Sequence, residues 1–136
     1  MPTTGLARFR FYKGLKEIKY LVRDEVIEKM PKAHRIPDAV FLKEHTSMTI
    51  RLTAAIYLTD ADDIETKADY INQILFELFL IQDEVEEQER AHVISLSTAA
   101  GIYVKIRSAM DEINKFRNYL KRRRDSDGLR ATESAE

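Results

Sequence analysis

Residues 91–122 read AHVISLSTAAGIYVKIRSAMDEINKFRNYLKR. Within them Ala99, Ile102, Ile106, Ala109, Ile113, Phe116 and Leu120 recur every three or four positions, the spacing that stacks side chains on one face of a helix. A run this long and this regular predicts a long amphipathic helix over about Ala91 to Arg122, so the fold is expected to be all-α. Gly101 lies inside the run beside Ala99 and Ala100, which suggests close approach of a neighbouring helix.

The same periodicity extends back through the chain. Phe11, Leu15, Ile18, Val22 and Val26 share a face in a first helix that Pro31 should end. The stretch Pro31–Asp38 holds two of the three prolines and reads as a turn. A second helix is expected from near Ala39 to Leu58, with Val40, Met48, Leu52, Ala55 and Ile56 inward. After Thr59–Asp63, Asp62 and Glu65 have the spacing of a capping box. The third helix should then bury Ala68, Ile71, Leu75, Leu78 and Val85. Glu86, Glu87 and Glu89 would oppose the macrodipole at a helix end, so they are assigned to the connection or to the first turn of helix four. Short connections between long helices imply an antiparallel up-down-up-down four-helix bundle over residues 1–124. Residues 125–136 are polar and read as a disordered tail.

Composition narrows the chemistry. In 136 residues there is no cysteine, which removes disulfides, thiolate metal sites and cysteine nucleophiles. Four Gly and three Pro are too few for a loop-rich or all-β chain. The most apolar run, Ile74–Ile81, is interrupted by Glu77 and falls far short of the ~20 residues that span a bilayer. The first residues lack the apolar core of a signal peptide, so a cytoplasmic protein with no membrane association is expected.

A carboxylate-bridged metal pair in such a bundle needs two Glu-x-x-His spacings, and only Glu89–His92 exists; His34 and His45 supply no second. Ser95 and Ser97 near His92 lack the oxyanion site of a nucleophilic triad. Gly5, Gly14, Gly101 and Gly128 are isolated and form no phosphate loop. Phe116–Leu120 resembles the Arg-bearing helix of the HEPN nucleases, but Lys121–Arg124 stand where that family has its histidine. No catalytic residue, metal or cofactor is assigned.

Charge is sorted along the chain. Residues 1–35 hold nine Lys/Arg against four Asp/Glu, residues 61–90 two against ten, and residues 91–125 eight against three. Arg8, Lys16, Lys19 and Arg23 line the first helix near Tyr12, and Lys121, Arg122, Arg123 and Arg124 end the fourth. If the two helices are neighbours, these groups can join into one surface suited to phosphate, with Phe9, Phe11 and Tyr12 available for stacking. The same residues also fit a solvated face, a basic run complementing the macrodipole, or pairing with the acidic helix of a neighbouring subunit. Arg117 continues the spacing Tyr103, Met110, and sits at the edge of the apolar seam.

Over residues 9–122 the layout resembles the four-helix-bundle family of ribosomal-RNA intervening-sequence proteins, which includes the accessory variability determinant (Avd) of diversity-generating retroelements. An aromatic-rich first helix ends in Met30-Pro31-Lys32-Ala33-His34-Arg35, similar to the family's Phe-Pro-Lys-x-Glu-Arg turn. A third helix then opens near Lys67, and a long fourth follows. His34 replaces the usual acid, and the chain has no Trp. The resemblance implies a homopentameric assembly that binds RNA or DNA and assists a reverse transcriptase. The reading is therefore a non-enzymatic nucleic-acid-binding accessory protein, with Arg8, Lys16, Lys19, Arg23, Arg117, Lys121, Arg122, Arg123 and Arg124 as its contacts. The alternative is a protein–protein or oligomerisation module with no nucleic-acid role.

Overall fold

A computed structural model describes the backbone of residues 5–135, and the side chains of that range except residues 33–36 and 128–135. His34 and Arg35 of the family-like turn thus lie outside the described side chains. The described residues are all-helical and form a four-helix bundle without strands: α1 (Arg10–Glu25), α2 (Lys32–Leu58), α3 (Ile64–Arg90) and α4 (Leu96–Ala135). Short 3-10 turns, Gly5–Arg8 and Ile27–Lys29, flank α1.

The core of α1 follows its apolar spacing: Phe11, Leu15, Ile18 and Val22 are buried. The apolar face then rounds the corner, because Val26, Ile27 and Met30 are buried too. The expected turn at Pro31–Asp38 is much shorter than its two prolines suggest. Pro31 caps α2 from an extended conformation, and Lys32–Asp38 already belong to the helix, with Pro37 inside it. A proline in the second turn forfeits one helical hydrogen bond, to the carbonyl of residue 33, and the burial of Ala39 and Leu42 just beyond holds the segment helical.

The inward face of α2 also departs from the hydropathy pattern. Leu42, Thr46, Thr49, Thr53 and Ile56 are buried, whereas Val40 is about half exposed and Met48 and Ala55 are only partly covered. Leu52 and Ile56 are buried as expected. Each threonine hydroxyl donates to a carbonyl of its own helix: Thr46 to Leu42 (2.7 Å), Thr49 to Thr46 (2.7 Å) and Thr53 to Thr49 (2.8 Å). The polar atom is satisfied locally and the methyl group is left to pack.

The cap of α3 is Asp63, one residue after the expected Asp62. Its carboxylate accepts from the Thr66 amide (3.2 Å) and the Thr66 hydroxyl (2.8 Å). Ile64, Ile71, Ile74, Leu78, Ile81, Val85 and Gln88 are buried, while Ala68 and Leu75 are partly covered. Contrary to the dipole argument, Glu86, Glu87 and Glu89 complete α3 rather than opening α4. The helix ends in a Schellman motif: the amides of His92 and Val93 donate to the carbonyls of Glu89 and Gln88, both at 3.0 Å. His92 takes the left-handed position at φ 60°, one of the few non-glycine types that do so readily. Glu89 and His92 therefore close α3.

Ser95 Oγ accepts from the Thr98 amide (3.1 Å) and opens α4 at Leu96, five residues later than expected. Ala99, Ile102, Ile106, Ala109, Ile113 and Leu120 are all buried, and Phe116 packs against them. The helix continues through residues 125–135, beyond the expected boundary at 124. Gly101 is exposed, with open space where a Cβ would stand, so it marks no close packing. That role falls to Gly14, where a Cβ would lie 3.6 Å from the Ala109 Cβ.

Each helix packs on two others: α1 on α2 and α4, and α3 on α2 and α4. Polar pairs bridge the seams, including Lys105–Glu17 (3.2 Å) and a half-buried His45–Glu77 pair with the Phe41 ring 4.1 Å from the imidazole. Gln88 Nε2 donates to Asp38 (3.2 Å) and Glu84 (3.0 Å). No helix among the described residues is long and apolar enough to cross a membrane.

Two stability predictions follow from these contacts. Gly101→Ala should stabilise by about 0.5–1 kcal/mol, read as a raised urea midpoint at constant m-value, because an alanine adds helix propensity and meets nothing. At Glu84, burial raises the carboxyl above its ordinary range, Gln88 opposes this, and the charge on Asp38 adds to it. A folded value above the unfolded one favours the protonated native state. That stability is present below the unfolded value of about 4.3 and is lost as pH rises through the folded value. Glu84→Gln should therefore stabilise at pH 7 by under about 1 kcal/mol, with the gain vanishing in melts below about pH 4.

Candidate nucleic-acid interface

Beside the buried face of α1 runs a ladder of alternating rings and cations. The Lys16 ammonium lies 5.5 Å from the Tyr12 ring centre and 6.0 Å from that of Tyr20, and the Arg23 guanidinium 5.0 Å from Tyr20. The Tyr12 hydroxyl, and after it Tyr20, holds Lys16 above the usual lysine range, so this group stays charged. Arg23 also binds Asp24 (2.8 Å), whose carboxyl it holds below the usual range. Gly14 and Glu17 mark the side of α1 that meets α4. Helical spacing turns Lys16, Lys19 and Arg23 away from that side, so they do not merge with the cations of α4 across the α1–α4 seam.

The basic run that ends the expected fourth helix is divided by its own helix. Arg123 approaches Asp62 (3.8 Å), in the connection before α3, and Arg124 approaches Glu65 (3.3 Å), in the first turn of α3. Arg117 donates to the Asn72 side chain (3.3 Å). Part of the acidic segment thus neutralises part of the basic segment within one chain. Lys121 is exposed, and Arg122 turns the other way, into a cleft.

That cleft, of about 980 Å³, lies where the first 3-10 turn and the start of α1 meet the end of α2, the start of α3 and the middle of α4. Arg8, Arg10, Lys67, Lys115 and Arg122 line it, against the carboxylates of Asp60 and Glu112. Its walls are aromatic: Phe9 and Phe116 meet edge-to-face at 5.4 Å, and Tyr57 and Tyr119 are each about half exposed. Gly5 lets the 3-10 turn lie on Tyr57, since a Cβ there would come within 2.2 Å of the ring.

Of the nine residues expected from sequence, Arg8 and Arg122 thus share one site, while Lys16, Lys19 and Arg23 form a separate face. Arg10, Lys67, Lys115, Tyr57 and Tyr119 escaped the sequence reading. Their one linear trace is the spacing Lys115, Tyr119, Arg122, which puts three cleft residues on one face of α4. The rest converge only through tertiary packing. Among the described residues no group of three or more His, Asp or Glu is placed to hold a metal ion. Ser95 is engaged in capping α4.

Comparison with protein-family models, with curated proteins and with solved structures finds no match to this chain.

Proposed function

We propose that this chain is a non-enzymatic nucleic-acid-binding accessory protein, an antiparallel up-down-up-down bundle that works as a homo-oligomer. The observation that carries the reading is the cleft with five cations against two carboxylates, with a second cationic row on a separate face of α1. Cations that displace counterions from a phosphate backbone, beside rings on which bases stack, are the two elements of single-strand binding. The antiparallel order is supported by two pairs in each of three seams, one residue number rising as the other falls: Gly14–Ala109 and Glu17–Lys105, Asp38–Gln88 and His45–Glu77, Glu65–Arg124 and Asn72–Arg117. Assembly is supported by Phe76 and Phe79 on α3, and Leu96 and Val104 on α4, each more than half exposed. An enzyme partner, a reverse transcriptase, rests on the family resemblance alone.

The second reading, an interaction module without a nucleic-acid role, draws on those same outward apolar residues. With the acidic third helix paired to the basic helices of a neighbouring subunit, it expects salt-sensitive self-association and no affinity for RNA.

The salt dependence of RNA binding separates the two and tests the residues individually. For a structured RNA hairpin, Lys121→Gln with Arg122→Gln should flatten the plot of log K against log salt by about 0.7–0.9 per lost contact. Arg123→Gln with Arg124→Gln should flatten it less, because Asp62 and Glu65 already oppose those charges. An unchanged slope in both variants removes the C-terminal cluster from the interface.

A further inference from the structure

We infer that the cleft at the end of the bundle binds a short single-stranded stretch of nucleic acid, with an unstacked base against its aromatic wall and the adjoining phosphates on its cations. The inference rests on the nucleic-acid reading and adds to it a site and a strand state.

Three observations lead there. First, Arg8, Arg10, Lys67 and Arg122 make no ion pair with another described residue, although Arg123 and Arg124, next to Arg122 in sequence, are matched by Asp62 and Glu65. The fifth cation, Lys115, has only an i,i+3 contact with Glu112 at 3.4 Å. Unmatched cations converging from three helices and a 3-10 turn repel one another, and an anion relieves that repulsion. Second, the wall beside them is aromatic. Tyr119 is 46% exposed, and its ring centre lies 6.1 Å from that of Phe116, which anchors it to the core. A bare phosphate has no use for such a wall, whereas a nucleobase stacks on it. In a duplex the bases are stacked on one another and paired, so a single strand is the form that can reach the ring. Third, 980 Å³ lies at the upper end of the roughly 300–1,000 Å³ typical of small-ligand sites. That suits a few nucleotides. Asp60 and Glu112 supply acceptors for a ribose hydroxyl or a base N–H.

The test uses the full chain and fluorescence anisotropy with labelled tetra-uridylate, an abasic phosphodiester tetramer, a blunt RNA duplex and an acidic peptide of equal charge. Tetra-uridylate should bind about 5- to 150-fold tighter than the abasic tetramer, the range that one stacked base contributes. Tyr119→Ala should erase most of that ratio and leave abasic binding unchanged. Tyr119→Leu, which keeps apolar bulk, should do the same, with an unaltered urea midpoint as the control for folding. Arg10→Gln with Lys67→Gln should weaken both tetramers. Equal affinity for the two tetramers, a ratio that survives both Tyr119 variants, or peptide or duplex binding as tight as tetra-uridylate overturns the inference. If a long structured RNA binds but tetra-uridylate does not, this site fails while the broader reading stands. If neither binds, both fail.

Discussion

The buried stripe of α4 is the constraint on which the rest of the molecule depends. Ile102, Ile106 and Ile113 have no exposed surface, and Ala99 and Ala109 between them keep the stripe narrow enough for α1 to settle at Gly14. Fixing that stripe inward fixes every other face of the same helix. Lys115, Tyr119 and Arg122 then turn to the cleft, while Arg117 and Arg124 turn to α3 and find Asn72 and Glu65. The geometry of the cleft is therefore a consequence of core packing: rotate α4 by one residue and the cleft loses a ring and two cations together.

Charge segregation along the chain has two different uses. At the start of α3, Asp62, Asp63 and Glu65 suit the positive end of the helix dipole, and two of them also oppose arginines of α4. At its other end the carboxylates run against the dipole. Their field is felt locally: Tyr103, already raised by burial, is pushed further by Glu86 and Glu89. The Schellman turn at His92 nevertheless completes the helix there, because satisfied carbonyls outweigh an unfavourable charge placement of a few tenths of a kcal/mol per group.

Helices whose inward residues are aliphatic were legible from sequence. The α1 series Phe11–Val26 and the α4 series Ala99–Leu120 emerge as spaced, since burial and hydropathy agree there. The α2 face was legible only at Leu52 and Ile56, because Thr46, Thr49 and Thr53 count as polar until their hydroxyls are seen bonded to their own helix. Pro37 looked like a break and proved a tolerated early-helix proline, and no Gly or Pro announced the turn at His92. For the site, cation-rich segments were visible as composition. Which cations are matched and which face a cavity depends on contacts across four elements, and a linear pattern carries no trace of Lys67 meeting Arg8 across one cleft.

The most direct test of the central claim, an assembling bundle that engages nucleic acid through unmatched cations, is light scattering coupled to size exclusion. The chain would be run with and without a structured RNA, at low and at moderate salt. The account predicts a particle heavier than one chain that gains the mass of RNA at low salt and sheds it as salt rises. A single 15.8 kDa chain indifferent to RNA at either salt would contradict it.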